Sequence, residues 1–171
     1  SVDIRDSGSK LASVDANIFP AGFNNICEVD REAAKQTFEK YLTGHYKDRA
    51  KNVLLLTEEH TSNKYYWENV FTIKTLLEGT GRDVRVAVPK EFTGTSVMQT
   101  PKGNAVEVYS ARRVGEGIEL SKGADAGEVF RPVLVVSNND FSNPYTVCFK
   151  GLAIPMNPSH ELGWFRRRKS D

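Results

Sequence analysis

The 171 residues carry 23 basic against 22 acidic side chains, so no global field selects nucleic acid or an anionic membrane as a partner. A chain of this length suits one domain, able to bury roughly 70% of the surface its unfolded form exposes, and leaves no room for a second full core. No apolar run approaches the ~18 residues of a membrane span, the start SVDIRD lacks a signal peptide's basic flank and apolar core, and a cytoplasmic protein is expected.

The opening stretch, SVDIRDSGSKLASVDANIFPAGFNN, interleaves Asp3, Arg5, Asp6, Lys10, Asp15, Asn17, Asn24 and Asn25 with Gly8, Pro20 and Gly22. It reads as an ordered polar loop whose Ile4, Leu11, Val14, Ile18 and Phe19 pack inward and fix the polar groups, which makes it a candidate site. Asp, Asn and Gly are also ordinary turn residues, but Asp3, Arg5 and Lys10 are not placed there by turn chemistry. Residues 30–44, DREAAKQTFEKYLTG, predict a helix with Asp30 as cap, Glu32 at the positive end of the dipole, Ala34, Phe38, Tyr41 and Leu42 on one face, and Gly44 as its end.

Residues 53–57 form a continuous apolar run without alternation, the pattern of a strand buried on both faces of a parallel sheet. From residue 63 to 78 the stripe Tyr66, Val70, Ile73 and Leu77 has helical period, GTG stops it, and DVRVAVP resumes as a strand. This βαβ unit places the loop TEEHTSN at the carboxyl edge of the sheet, where such sheets bind ligands. AVEVYS, GIEL and VFRPVLVVS predict short strands, in a hairpin or antiparallel extension, and NPYTVCFKGL a short helix or turn. The fold class is α/β: an open, mainly parallel sheet flanked by helices in a single domain spanning residues 1–171.

Three polar clusters remain: the opening segment, residues 57–62 and residues 137–140. The last two follow strands and open on one crevice of an α/β sheet, so they can converge on one ligand. Glu58 and Glu59 suit an ammonium group or a hydrated cation, His60 a proton transfer, and Asn138 or Asn139 a carboxylate or amide. The competing reading is that EEH only starts a helix. Arg166, Arg167, Arg168 and Lys169 can clamp phosphate or carboxylate, although a basic tail is also an ordinary solvated end, and without an aromatic platform no nucleic-acid partner is expected. Cys27 and Cys148 lie far apart and the three histidines are scattered, so neither a structural metal nor a required disulfide is expected. No dinucleotide, P-loop, nucleophile-elbow or zincin motif occurs, which disfavours a nucleotide-dependent oxidoreductase, and GTGRD, after a helix and before a strand, is a helix stop.

The opening segment, SNNDFS downstream of it and MNPSHELGWFRRRKS after that resemble, in this order, the proteobacterial type of glutamate–cysteine ligase. The pattern departs at Ser9, where the family has an aromatic residue, and at Ser13, where it has proline. The family is longer on both sides, so the resemblance implies that this chain is a fragment, as do its start without Met and its charged end. It further implies ATP-dependent formation of γ-glutamylcysteine through a glutamyl phosphate, with ATP and Mg2+ held by a nucleotide-binding region beyond residue 171 and a fragment inactive alone. The expected fold is Rossmann-like, as in the domain preceding the ATP-grasp of glutathione synthetase-like ligases. Glutamate and cysteine would be the substrates. Arg5 and Lys10 would hold substrate carboxylates, Asp15 and Glu58 the ammonium group, and Asn17, Asn24, Asn25, Asn138 and Asn139 would orient the amino acid, while Arg166, Arg167 and Lys169 would stabilise the transferring phosphate. The alternative is a non-catalytic amino-acid-binding or interaction domain that retains the fold.

Overall fold

A computed structural model of the chain describes residues 2–58, 63–89, 97–121 and 129–166. Its first residues form a hairpin rather than a packed polar loop. β1 (Val2–Asp6) pairs antiparallel with β2 (Leu11–Ala16), closed by Ser7 N–H donating to Lys10 O (3.1 Å) and by Gly8, whose φ of +81° the turn requires. The alternation of Val2 and Ile4 with Asp3 and Arg5 is the period-two signal that the polar composition obscured. The hairpin is a sheet of its own, and Ile4, Leu11, Val14 and Ile18 are exposed; of the five residues expected to pack inward only Phe19 is buried.

α1 (Glu28–Tyr46) extends beyond both expected ends. Cys27, not Asp30, holds the cap position, and Asp30 sits in the first turn accepting from Cys27 Sγ (3.0 Å). Gly44 lies inside the helix; the chain leaves it at Lys47, at φ +52°. A glycine near a helix end costs only about 1 kcal/mol, and Leu42, Phe38 and Tyr46, packed on the core on either side of it, outweigh that.

The βαβ unit is present. β3 (Asn52–Thr57), α2 (Tyr66–Glu78) and β4 (Asp83–Val88) follow in order, and the two strands run parallel with Val53 opposite Val84 and Leu55 opposite Val86. β5 (Val97–Gln99), too short to signal itself in the sequence, and β7 (Gly117–Ser121) flank β6 (Ala105–Val114) antiparallel. The expected strand over 129–137 divides: Phe130 makes a lone bridge to Leu120, Pro132 has no N–H to give a ladder, and β8 begins only at Leu134 (Leu134–Asn138). α3 (Thr146–Phe149) and β9 (Met156–Asn157) complete the chain order. The sheet runs β5-β6-β4-β3-β8-β9 with β7 on β6, and β3, β4, β6, β8 and β9 are parallel.

Both faces of this sheet are covered. Val53, Leu55, Val84, Val86 and Leu134 meet Val70, Ile73 and Leu77 of α2 and Leu42 of α1, while Leu54, Leu56, Ala87 and Val135 meet Phe19, Phe141 and Phe149 on the other side. All four residues from Val53 to Leu56 are fully buried, as an unbroken apolar run demands. Among the described residues no helix is long and apolar enough to cross a membrane.

Candidate functional site at the strand ends

From β3 the chain steps through α2 to β4 on one side, whereas β8 lies on the other, so β3 and β8 flank the point where the strand order reverses. Ligands of open α/β sheets sit outside the carboxyl ends of such strands. A cleft of about 920 Å³ lies there, walled by the 17–25 segment, the first turn of α2, the ends of β3 and β8, and Trp164.

Two side chains hold the strand ends together. The Tyr66 hydroxyl donates to Asn138 O (2.6 Å) and accepts from the Glu58 N–H (2.8 Å), bridging β8 to the residue after β3. Burial drives the Tyr66 pKa well above the ordinary phenol value, so it stays protonated and keeps donating. Asn139 is buried; its Nδ2 donates to Thr57 O (3.0 Å) and its Oδ1 accepts from Phe141 N–H (2.8 Å). Both sides of its amide are used in this way for holding backbone.

The far wall is hung from α2. Asn69, buried in the helix, accepts from Phe23 N–H through Oδ1 (2.8 Å), and Phe19 packs edge-on against Phe141. The near wall depends on Gly163: a Cβ there would stand 2.4 Å from Phe141 Cβ, and its absence lets the chain approach so that Trp164 N–H donates to Asp140 O and Phe165 N–H to Phe141 O. Phe165 also stacks on the buried His160, which meets Phe141 edge-on.

Within the cleft Glu58 is partly buried. Burial first, and then the negative charge of Asp140, raise its carboxyl pKa above the ordinary value, while a hydrogen bond from the Asp140 backbone opposes them. Asn138 is 4% exposed, and its Nδ2 has no hydrogen-bond partner. A buried amide left unpaired costs about 1–3 kcal/mol, and Asn138 is one of the residues that line the cleft.

Five of the residues nominated from sequence, Asn17, Asn24, Asn25, Glu58 and Asn138, line this one cleft. Asn139 supports it from below. Arg5 and Lys10 do not line it; they stand on the exposed hairpin, and Asp15 lies on the same hairpin paired through its backbone with Asp3. Arg166 forms an exposed ion pair with Glu161, and Glu59, His60, Arg167 and Lys169 lie outside the described residues. Tyr66 and Asn69 were missed. Tyr66 reads as one member of an apolar stripe, and the only hint at Asn69 is that asparagine is a weak helix former, expected to bond elsewhere.

The family model GshA, glutamate-cysteine ligase, matches residues 1–171. A crystal structure of a proposed gamma-glutamylcysteine synthetase from Methylobacillus flagellatus KT is similar, with a TM-score of 0.83 and 32% identity over 99% of this chain and 38% of that one. The chain thus spans well under half the length of that relative. No curated protein matches it. The chain belongs to the glutamate–cysteine ligase family.

Proposed function

We propose that the protein is the amino-acid-binding part of an ATP-dependent glutamate–cysteine ligase. The reaction activates the γ-carboxylate of glutamate as an acyl phosphate, which the amine of cysteine attacks to give γ-glutamylcysteine and phosphate. The observation that carries this reading is the family match over the whole chain together with a cleft at the strand-order reversal lined by Asn138, whose amide nitrogen is buried without a hydrogen-bond partner. The parallel sheet supports a Rossmann-like assignment, to the domain preceding an ATP-grasp.

Magnesium and nucleotide are assigned, on the family resemblance, to the rest of the longer family polypeptide. Arg166, with Arg167 and Lys169 after it, is offered to the phosphate. Its pair with Glu161 is solvent-exposed, so releasing it costs about 1 kcal/mol or less. Arg5, Lys10 and Asp15 would serve a substrate only if the hairpin is brought against it. The protein is read as cytoplasmic.

The test is ADP release by the full-length protein. It should require glutamate, cysteine and magnesium together, with γ-glutamylcysteine as product, and the 171-residue chain alone should release none. ADP release indifferent to both amino acids would refute the assignment.

A further inference from the structure

The cleft has a charge pattern that discriminates between the two amino acids of the proposed reaction. Its described lining includes two carboxylates, Glu58 and Asp140, and no lysine, arginine or histidine. Neighbouring Lys64 is turned over the Tyr65 ring, 5.4 Å from its centroid. Glutamate carries two carboxylates and a net negative charge, and would meet two like charges with no cation to offset them. An amino acid with an uncharged side chain presents one ammonium to the carboxylates and one carboxylate to a donor.

The cleft lining also includes an amide with an unused donor. Asn138 Nδ2 is buried and unpaired, and Tyr66 holds the Asn138 carbonyl and the Glu58 N–H on one hydroxyl, which keeps these two cleft-lining residues together. Around this polar floor Ile18, Phe19, Pro20, Tyr65 and Trp164 form a mostly apolar wall, suited to a short neutral side chain and not to a second carboxylate.

We infer that this cleft receives the amine-bearing acceptor amino acid, its ammonium on Glu58 and Asp140 and its carboxylate on Asn138 Nδ2, and not the amino acid whose side-chain carboxylate is activated. Under the ligase reading, on which the name of the occupant rests, that acceptor is cysteine. The charge state of Glu58 fits: an arriving ammonium offsets the burial and the repulsion that otherwise disfavour its ionised form. Tyr66 acts as a positioning residue, through Glu58 and Asn138.

The experiment is calorimetric titration of the chain with cysteine, 2-aminobutyrate, N-acetylcysteine, glutamate and magnesium chloride, each repeated with Glu58→Gln. Cysteine and 2-aminobutyrate should bind, glutamate and N-acetylcysteine should bind at least about tenfold more weakly, and Glu58→Gln should weaken cysteine by about tenfold or more with the far-UV spectrum unchanged. Because Gln keeps the side chain's shape, Asn138→Ala gives a second reading of the same site and should weaken cysteine as well. Glutamate binding as tightly as cysteine, N-acetylcysteine binding equally well, or magnesium alone saturating a site that Glu58→Gln abolishes would each overturn the inference, the last by making the carboxylate pair a cation site. The two readings fail separately. Neutral amino acids binding here in a protein that forms no γ-glutamylcysteine would remove the ligase and leave this subsite; product formation with only glutamate in the cleft would do the reverse.

Discussion

Tyr66→Phe removes one oxygen atom and tests whether the strand ends are braced as described. The ring is retained, with its edge contact to Trp67 at 5.6 Å, so packing is preserved. Two hydrogen bonds are lost, from the Glu58 N–H at 2.8 Å and to Asn138 O at 2.6 Å. Each buried group left unpaired costs about 1–3 kcal/mol, but Glu58 borders the cleft, where water can replace its partner, so the combined cost is about 2–3 kcal/mol. For a chain of this size that corresponds to a fall in Tm of about 5–10 °C. Urea denaturation followed by tryptophan fluorescence and far-UV circular dichroism should show a lower midpoint at unchanged slope. The pH dependence adds a second arm. Because the folded Tyr66 pKa lies above its unfolded value, the stability from the neutral phenol is complete below about pH 10 and fades above it, so the difference between wild type and variant should narrow in alkali. A destabilisation below about 0.5 kcal/mol at pH 7 would show that the hydroxyl does not hold β3 to β8.

Glu58→Gln has an opposite sign. The folded carboxyl pKa lies above the unfolded one, so the group's stabilisation is full below about pH 4 and lost as pH rises through the raised value; the variant should have a higher urea midpoint than wild type at pH 7 and lose that advantage near pH 4. Asn69→Ala deletes the acceptor of Phe23 N–H and should cost about 1–2 kcal/mol while speeding hydrogen exchange at that amide; unchanged protection would mean that the 19–25 segment is held by something else. Leu55→Ala, at a fully buried position of the central strand, should cost about 2–5 kcal/mol in the same denaturation experiment, and a cost below about 1 kcal/mol would contradict burial on both faces.

The parts of the fold legible in sequence are those where one physical demand dominates. Residues 53–56 are apolar without alternation because both sheet faces are covered, and Val70, Ile73 and Leu77 recur at helical spacing because only one face of α2 is. The hairpin is not legible in the sequence because its apolar residues, Ile4, Leu11 and Val14, are exposed: inward packing follows from hydrophobicity only when another element is there to pack against, and none among the described residues covers them. Asn17, Asn24, Asn25, Glu58 and Asn138 were legible for a different reason, since strand-end loops and the segment before the first helix are confined to one edge by topology. Asn139 shows the limit of that logic: it differs from Asn138 by one position, but Asn138 lines the cleft whereas the Asn139 amide bonds the backbone at the end of β3.

The core of the sheet and the ends of its strands obey different rules, and the contrast marks the candidate site. Through the core each local preference agrees with the fold, from the parallel register to the apolar stripe of α2. At the ends of β3 and β8 that agreement breaks down: Asn138 Nδ2 and Ser137 Oγ are buried without hydrogen-bond partners, and burial and then Asp140 disfavour the ionised form of Glu58. Arg82 Nε is also buried without a hydrogen bond, but its guanidinium bonds Thr80 O, and Arg85 Nε, which lacks a hydrogen bond too, stands 3.1 Å from Asp83 Oδ1 in an ion pair, so their cost is partial. Among the described residues it is at the strand ends that a residue with an unpaired donor and a destabilised carboxylate line one cleft, with Tyr66 and Asn139 making four hydrogen bonds that hold the strand ends together. Relaxing either group would stabilise the fold, as Glu58→Gln is expected to do. Stability given up at one edge, and held in place by bonds that a merely structural edge would not need, is what a preorganised binding site requires.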